Sequence, residues 1–359
     1  MTIEINHFGF FYNQEVNEVT LTSATGMSVS LLTLGGIIKN LLVPIRNGQR
    51  VDVVLGYDTV QQYANDSHYM GAIIGRVANR IENAKFRFNE QDISVNGNAY
   101  DGRHCVHGGR FGYHHRVWTL EETAETADFV SATFTLKDGD GEEGFQGNLL
   151  LTATYTLTSS PSTSEHQGAE KRETNNTLTL TIDATADAAS PISLTAHSYF
   201  NLNGHESTDV RNHLLTLPSQ SVLQQKHDRI PNGNIMSIAD SIFDFSTGEK
   251  LSKSIDRNID INDSYTLATS NTIRNIAKLR TQELALNVLS NEQTVHFYNG
   301  HNLHKVQGKT GVIYGKFSGV CIEPKGYVNS VNLAQFPTSI VSPSVPYNHT
   351  IVYDFSTLP

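Results

Sequence analysis

Apolar and polar residues alternate with a period of two along most of the chain, the pattern of β-strands that bury one face. Thr, Val, Ile, Phe and Tyr dominate these runs, as they do in strands. Turn signals such as Arg46-Asn47-Gly48-Gln49 separate them. The clearest predicted strands are Met27–Leu34, Ile37–Val43, Ala84–Phe88, Phe129–Leu136, Leu149–Leu157, Thr177–Ala184, Glu283–Leu289 and Thr294–Tyr298.

Helical periodicity is scarce, and Asp58–Ala64 predicts one short helix. Many strands with few helices favour an all-β fold, a large antiparallel β-sandwich. The segment 159–177 is polar and nearly free of apolar residues. It predicts an exposed hairpin loop within one domain that spans residues 1–359, because the strand pattern is the same on both sides of it.

The composition excludes several classes of protein. A net charge of −10 argues against nucleic acid as a partner, because nucleic acid needs a basic face. Two cysteines form neither a disulfide framework nor a four-cysteine zinc set. The N-terminus lacks the basic and apolar regions of a signal peptide, and no run approaches the ~18 apolar residues of a membrane span. We therefore expect a cytoplasmic protein that binds no membrane.

Fifteen histidines raise the question of a metal site. His104 and His107 are three residues apart, and His114 and His115 are adjacent. In a region of strands and loops this spacing does not bring ligands together as it would on a helix. We therefore expect no bound metal.

The stretch from Ile192 to Leu202 contains a candidate proton-transfer residue. Ile192, Leu194 and Ala196 alternate with polar residues, which predicts a half-buried strand with His197 on the polar face. An imidazole on a rigid strand is suited to passing a proton near neutral pH. The alternative is a histidine packed at a strand end against a backbone carbonyl.

Arginine, asparagine and glycine mark two further stretches. Arg76 and Asn79 lie in Gly75–Ile81, where a guanidinium and an amide could hydrogen-bond hydroxyl groups. His107 precedes two glycines, which could let the backbone approach a ligand closely. A structural ion pair for Arg76 and an ordinary loop histidine are the alternatives.

Two acidic stretches follow. Asp140–Leu149 contains Glu142 and Glu143 in a glycine-rich loop, where a solvated turn is commoner than a catalytic pair. Glu323 follows a short apolar strand that we expect Pro324 to end. A carboxylate there would face the end of the sheet, either as a ligand-binding group or as a solvated acid.

Together these motifs resemble the aldose 1-epimerase (galactose mutarotase) family. They keep the family's order from residue 75 to residue 324, and several motifs in one order are more specific than any one of them. The matching segments are Gly75–Ile81, His107–Gly109, Asp140–Leu149, His197–Leu202, Ile230–Gly233, Phe243–Phe245, Phe297–Leu303 and Glu323-Pro324.

The resemblance implies a mutarotase-type sandwich that holds a sugar on the concave face of a large sheet. It implies that Glu323 is the general base and His197 the general acid, on opposite sides of the anomeric centre. The implied substrate-binding residues are His107, Arg76, Asn79 and Asp263. The implied reaction interconverts the α and β anomers of a free hexose such as galactose or glucose, without cofactor or metal.

Two departures from the family pattern concern the choice of sugar. The family's Asp-His pair before an aromatic residue corresponds here to Asn262-Asp263, so either residue could fill the aspartate position. Lys325 stands where the family usually has glutamine. Lys325 could reach an anion beside the anomeric centre, as in a hexose 6-phosphate 1-epimerase, or pair with a surface carboxylate, which we favour.

Three rival functions remain at this point. A hexose 6-phosphate 1-epimerase would hold a phosphate with clustered cations. A sugar-binding sandwich without activity would not need Glu323 and His197, and this chain has both. A glycosidase would use two carboxylates, whereas the motifs offer one carboxylate and one histidine. We expect a monomer or homodimer.

Overall fold

The computed structural model describes residues 1–161, 174–207, 209–270 and 272–358. Its strands are β1 Thr2–Phe11, β2 Gln14–Thr22, β3 Ser28–Leu32, β4 Ile37–Pro44, β5 Arg50–Asp52, β6 Ile73–Ile74, β7 Arg80–Ile81, β8 Lys85–Phe88, β9 Gln91–Ser94, β10 Cys105–Val106, β11 Thr119–Glu125, β12 Phe129–Asp138, β13 Leu149–Pro161, β14 Thr174–Ala186, β15 Ser190–Pro191, β16 Thr195–Ala196, β17 Tyr199–Phe200, β18 Leu214–Thr216, β19 Ser221–Gln225, β20 Pro231–Ser237, β21 Glu249–Lys250, β22 Asn262–Thr266, β23 Arg274–Arg280, β24 Leu284–Ser290, β25 Thr294–Tyr298, β26 Val306–Gln307, β27 Ile313–Tyr314, β28 Val320–Lys325, β29 Ile340–Val341 and β30 Tyr347–Thr357.

Two short helices interrupt the strands, α1 Val60–Ala64 and α2 Ser252–Ile255. The hydroxyl of Thr59 caps α1 by accepting a hydrogen bond from the N–H of Gln62, and Val60 and Tyr63 bury one side of the helix. The prediction of a short helix within Asp58–Ala64 is confirmed. Among the described residues, no helix is both long and apolar enough to cross a membrane.

Three antiparallel sheets make up most of the fold, which confirms the predicted all-β sandwich. The largest has nine strands in the order β11-β12-β13-β14-β30-β24-β23-β18-β21. The second has six strands in the order β17-β28-β25-β22-β19-β20, and the third consists of β1 to β5 in sequence order. Each of the eight strands predicted from the alternating pattern is present.

One large apolar core lies between these sheets. Phe297 and Ile322 of the six-stranded sheet belong to the same buried cluster as Leu151 and Leu180 of the nine-stranded sheet. The rings of Phe200 and Tyr353 pack across the interface with their centroids 5.2 Å apart. One face of each strand therefore enters the core, and the other face of the six-stranded sheet is available for other contacts.

The predicted loop 159–177 is shorter than its polar composition suggests. β13 and β14 pair from Leu149 with Ala186 as far as Pro161 with Thr174, so both ends of the segment belong to strands. The backbone ladder of the two strands thus continues beyond Leu157 and Thr177 into the polar segment, which composition alone does not predict. Residues 162–173 lie outside the described part of the chain.

Neighbouring leucines on β13 test which face of the nine-stranded sheet is buried. Leu151 is fully buried, whereas Leu150 is 47% exposed. Leu151→Ala should lower the free energy of unfolding by about 2–5 kcal/mol, because it leaves a cavity in the core. Leu150→Ala, the control, should lower it by less than about 1 kcal/mol. Urea unfolding measures both, and equal losses would contradict this packing.

Candidate active site

A cavity of about 250 Å³ lies on the face of the six-stranded sheet opposite the core. Loops from the first third of the chain form part of its wall. Its walls are made by Ser67, His68, Tyr69, Asn79, Arg80, Val106, His107, His197, Tyr199, Asn262, His296, Tyr298, Asn302 and Glu323. It therefore collects histidines, amides, aromatic rings, one arginine and one carboxylate.

The strand register of the sheet selects which side chains enter the cavity. Glu323 of β28 lies opposite His296 of β25, and His296 lies opposite Ser264 of β22. Side chains alternate between the two faces of a strand, so these residues face the cavity while their neighbours, such as Ile322, face the core. The cavity wall is thus the polar half of three alternating strands.

The prediction that Glu323 stands at the end of a strand is wrong. Glu323 lies inside β28, which continues through Pro324 to Lys325. The ladder from β17 stops at Cys321, so beyond that residue β28 pairs with no strand on that side within the described part of the chain. Proline is tolerated at such an edge because no ladder hydrogen bond is required of it there.

His197 is buried, and the expectation of a half-buried strand is wrong for this stretch. Ile192, Leu194 and Ala196 enter the core as predicted, but the polar face is covered as well, by the residues around the cavity. The Nε2 atom of His197 lies 3.5 Å from Oε1 of Glu323. Its Nδ1 atom lies 3.5 Å from the sulfur of Cys321.

The carboxylate of Glu323 lies between two basic groups. Oε1 faces His197, whereas Oε2 lies 3.4 Å from Nζ of Lys325, which is fully buried. Burial lowers the pKa of Lys325 to about 8. Lys325 therefore pairs with the buried carboxylate of the site itself, and the expectation of a surface partner is wrong.

Backbone groups of Asn79 hold His107 in place. The N–H of His107 donates to the carbonyl of Asn79 at 2.8 Å, and Nδ1 of His107 accepts from the N–H of Asn79 at 3.3 Å. Burial, with the neighbouring basic groups, holds the pKa of His107 well below its ordinary value. A neutral ring that accepts at Nδ1 carries its proton on Nε2, so His107 can donate into the cavity.

The glycines after His107 serve the packing of the chain. A Cβ atom on Gly108 would lie 1.9 Å from the carbonyl oxygen of Gly75, and one on Gly109 would lie 2.0 Å from the carboxylate of Glu143. That carboxylate accepts from the N–H groups of Arg110 and Phe111. Gly108 and Gly109 therefore leave room for a neighbouring backbone and for a structural carboxylate. The sequence had suggested a ligand at this place.

Arg76 does not line the cavity, in contrast to its expected place at the sugar site. Its Nε and Nη2 atoms donate to Asp138 Oδ2 at 2.9 and 2.6 Å. Ser190 and the carbonyls of Gln146 and Gly147 accept the remaining donors. All five N–H donors of Arg76 are thus used. Arg76 therefore forms a buried structural ion pair with Asp138, which is the alternative named in the sequence analysis.

Arg80, four residues further along the same motif, lies in the cavity wall instead. Its Nη1 donates to Oδ1 of Asn79 at 3.0 Å, while its buried Nε has no hydrogen-bond partner among the described residues. Asn79 and Arg80 are thus joined by a side-chain hydrogen bond at the cavity wall. The sequence offered no signal to choose between the two arginines, because both lie in the same motif.

Asn262, and not Asp263, faces the cavity. Its Oδ1 lies 2.9 Å from Nε2 of His296, whose Nδ1 lies 2.8 Å from the hydroxyl of Ser264. Burial lowers the pKa of His296 well below its ordinary value, so the neutral ring accepts from Ser264 and donates to Asn262. The amide N–H groups of Asn262 are thereby directed away from His296.

Asp263 lies on the opposite face of β22, toward the core. It pairs with Phe297, and its Oδ2 accepts a 3.0 Å hydrogen bond from the N–H of Asn262. Burial raises the pKa of Asp263 to about 6. The alternation of β22 is the reason that the expected sugar contact of Asp263 is absent, and counting positions from His296 in register would have shown it.

Aromatic rings shape the cavity, and sequence analysis did not identify Tyr69 among them. The ring centroid of Tyr69 lies 4.5 Å from that of His107 and 5.9 Å from that of His197. Tyr199 packs on His197 at 5.3 Å. Tyr69 immediately precedes the Met70-Gly71 turn into the arginine motif, which is a weak signal in the absence of the fold.

His197, Cys321 and Glu323 offer ligand atoms within 4.8 Å of one another, a donor set that zinc could use. Two features oppose a cation here. The ammonium of Lys325 already occupies one side of the carboxylate, and burial raises the pKa of Cys321 well above its ordinary value, which disfavours the thiolate that binds metal. The absence of a metal stays a prediction.

The raised pKa of Asp263 predicts how the stability of the folded protein depends on pH. Because the folded state binds this proton more tightly than the unfolded chain, stability from this group is present below about pH 4 and is lost as the pH rises through about 6. Asp263→Asn should therefore be more stable than wild type at pH 8, by up to about 3 kcal/mol, with the gain vanishing near pH 4. Urea unfolding at both pH values measures this, with exposed Asp128→Asn as control. A loss of stability at pH 8 would refute the argument.

Arg76 and Arg80 form a matched pair for a second stability test. Arg76→Met removes the closer of two cations from buried Asp138 and leaves Arg116 at 3.7 Å, so the free energy of unfolding should fall by up to about 3–5 kcal/mol. Arg80→Met removes a cation that borders the cavity, and the loss should stay within about 1 kcal/mol. Thermal or urea unfolding compares them. If Arg80→Met proved the more destabilising, the roles assigned to the two arginines would be reversed.

Comparison with known proteins extends over most of the chain. The family model described as aldose 1-epimerase matches residues 17–354. Galactose mutarotase from Mus musculus is 31% identical over 339 residues, covering 92% of this chain and 91% of that protein. Aldose 1-epimerase from Haemophilus influenzae is 30% identical over 321 residues, covering 85% of each.

Solved structures agree with these sequence matches. An aldose epimerase homologue from C. elegans superposes with a TM-score of 0.83 at 25% identity, covering 96% of this chain and 100% of that one. A galactose 1-epimerase from Lactobacillus acidophilus shares the fold with a TM-score of 0.82 at 20% identity, covering 100% and 99%. Because the family model matches residues 17–354 of its 359 residues, this chain belongs to the aldose 1-epimerase family.

Proposed function

We propose that this protein is an aldose 1-epimerase that interconverts the α and β anomers of a free hexose, such as galactose or glucose. The observation that carries the proposal is the pair of Glu323, a base, and His197, an acid, whose Oε1 and Nε2 atoms lie 3.5 Å apart in the wall of a polar cavity. The relatives named above, among them a galactose mutarotase, and the family membership support the same reaction.

The separation of the two groups suits the anomeric centre. The anomeric hydroxyl oxygen and the ring oxygen are bonded to the same carbon, so they lie closer together than 3.5 Å. Two groups 3.5 Å apart on one wall can therefore each contact one of these oxygens. This arrangement replaces the expectation that acid and base stand on opposite sides of the anomeric carbon.

Ring opening then follows as one transfer of two protons. Glu323 takes the proton of the anomeric hydroxyl, the C1–O1 bond becomes a carbonyl, and the bond from C1 to the ring oxygen breaks. His197 gives its proton to the ring oxygen. After rotation about the C1–C2 bond, the same transfers in reverse close the ring on the other face, and both groups recover their starting protonation.

Donors around the pair suit the hydroxyl groups of the sugar. His107 can donate from Nε2, and Asn262 has amide hydrogens directed away from His296. The Nε of Arg80 has no hydrogen-bond partner in the residues that the structure describes. Asn79 orients Arg80. We assign sugar binding to these four residues, whereas Arg76 and Asp263 are assigned structural roles.

The charges of the site favour a neutral sugar over a hexose 6-phosphate. Lys325 is paired with Glu323, and Arg76 is paired with Asp138, so neither cation is available to a phosphate. Arg80 remains as the one arginine in the cavity wall among the described residues. A phosphate is usually held by several clustered cations. The cytoplasmic location, the single domain and the choice between monomer and homodimer stay predictions from the sequence.

Substitutions of the reacting pair test the mechanism. Glu323→Gln cannot accept the anomeric proton and His197→Asn cannot supply one, so each should lower kcat by at least ~10²-fold. Polarimetry of freshly dissolved α-D-galactose and α-D-glucose measures the rate. The folded state is checked by circular dichroism.

The matched control is Glu122→Gln, an exposed carboxylate on the edge strand β11, which should keep the wild-type rate. A wild-type protein that accelerates neither sugar would remove the proposal itself and favour a sugar-binding protein without activity. Near wild-type rates in either site variant would instead show that the proton-transfer roles are misassigned.

A further inference from the structure

Lys325 has a place in the site that the mechanism above does not explain. Its side chain is fully buried, yet it is not among the residues that line the cavity. It shares a face of β28 with Glu323, two residues away, and its Nζ lies 3.4 Å from Oε2 of that carboxylate. Burying an ammonium is costly, so a buried lysine without a contact to the ligand needs another reason for its position.

The two oxygens of Glu323 are divided between two partners. Oε1 faces Nε2 of His197 at 3.5 Å, and Oε2 faces the ammonium of Lys325. A carboxylate held on one oxygen keeps a fixed orientation, and the other oxygen is left for the reaction. Opposite charges this close together attract each other strongly where water is excluded.

We propose that Lys325 is a positioning residue for the reaction, whose charge holds Glu323 ionised and oriented so that the carboxylate works as a base at mildly acidic pH. This inference rests on the proposed epimerase function and extends it to a residue that does not touch the sugar. The burial that surrounds the pair strengthens the interaction, because water screens it little.

Other ionisable groups near the pair do not replace this charge. His107 and His296 border the cavity, and burial lowers the pKa of both rings well below the ordinary value, so they remain neutral. Arg80, also in the cavity wall, contributes a further positive charge, but no ion pair or hydrogen bond joins it to Glu323 in the described structure.

The remaining ionisable neighbours lie on β28 itself, on the segment from His197 to Tyr199, and on β30. His197 faces the other carboxylate oxygen. Cys321, Tyr199 and Tyr353 stay neutral because burial raises the pKa of all three above the ordinary value. Lys325 is thus the cation in direct contact with the carboxylate on the side away from His197.

Three substitutions separate charge from packing and from hydrogen bonding. Lys325→Met keeps much of the side chain's length without the charge, Lys325→Gln keeps a hydrogen-bond donor without the charge, and Lys325→Arg keeps the charge. For each, kcat/KM for galactose is measured by polarimetry from pH 4.5 to pH 8, and folding is checked by thermal unfolding. Having both neutral variants keeps the test open if one of them fails to fold.

We expect the acid limb of the profile to move to higher pH by at least about one unit in both neutral variants, because the carboxylate loses the charge that favours its ionised form. Lys325→Arg should keep the limb near that of wild type. KM at the pH optimum should stay within about threefold, since Lys325 does not line the cavity.

Several results would overturn the inference. An acid limb that does not move in the folded neutral variants, or that moves in Lys325→Met but not in Lys325→Gln, would show that the charge has no such role. A limb that moves equally in Lys325→Arg would point to packing. Loss of activity at every pH in the neutral variants, with Glu323→Gln still active, would make Lys325 the base itself. If Glu323→Gln is inactive and the limb stays in place, the proposed function stands and this inference alone fails.

Discussion

The pairing of β22, β25 and β28 in one register is the constraint on which the candidate site depends. That register sets Asn262, His296 and Glu323 on one side of the sheet, and it sends the residues between them into the core. A shift by one residue would exchange the two sets, because side chains alternate along a strand. The hydrophobic core and the chemistry of the site are therefore specified by the same hydrogen bonds.

Burial gives the charged groups of this site their different roles. Arg76 pairs with Asp138, and every N–H donor of its guanidinium is used. This ion pair joins the loop that carries Arg76 to the end of β12. Glu323 and Lys325 form a looser pair, in which one carboxylate oxygen stays available. The same burial keeps His107 neutral, so that a donor without charge faces the cavity beside the reacting groups.

Much of the fold was accessible from the sequence, because alternation in Leu149–Leu157 or Thr294–Tyr298 directly reports a strand with one buried face. The reacting pair was accessible as well, since Glu323 and His197 lie in distinctive motifs and do meet in the cavity. What alternation cannot report is whether the polar face is also covered, and for that reason the burial of His197 was underestimated.

The choice among neighbours was beyond the reach of the sequence. Arg76 and Arg80 share a motif, and only the position of Asp138, 62 residues further on from Arg76, decides which guanidinium is already used. Asn262 and Asp263 are adjacent, and only the partner strand decides which of them faces the cavity. Both decisions depend on long-range contacts, which local residue patterns do not contain.

The hydrogen-bonded chain from Ser264 through His296 to Asn262 also affects how this cavity could be altered. Replacing Asn262 alone would leave Nε2 of His296 without its hydrogen-bond partner. Replacing His296 alone would allow the side-chain amide of Asn262 to change its orientation. Variation in this wall is therefore best explored as combined changes at three positions, and a laboratory search for a different sugar preference should randomise them as a set. Libraries that vary one position at a time would miss substitutions that are tolerated only together with a change at a second position.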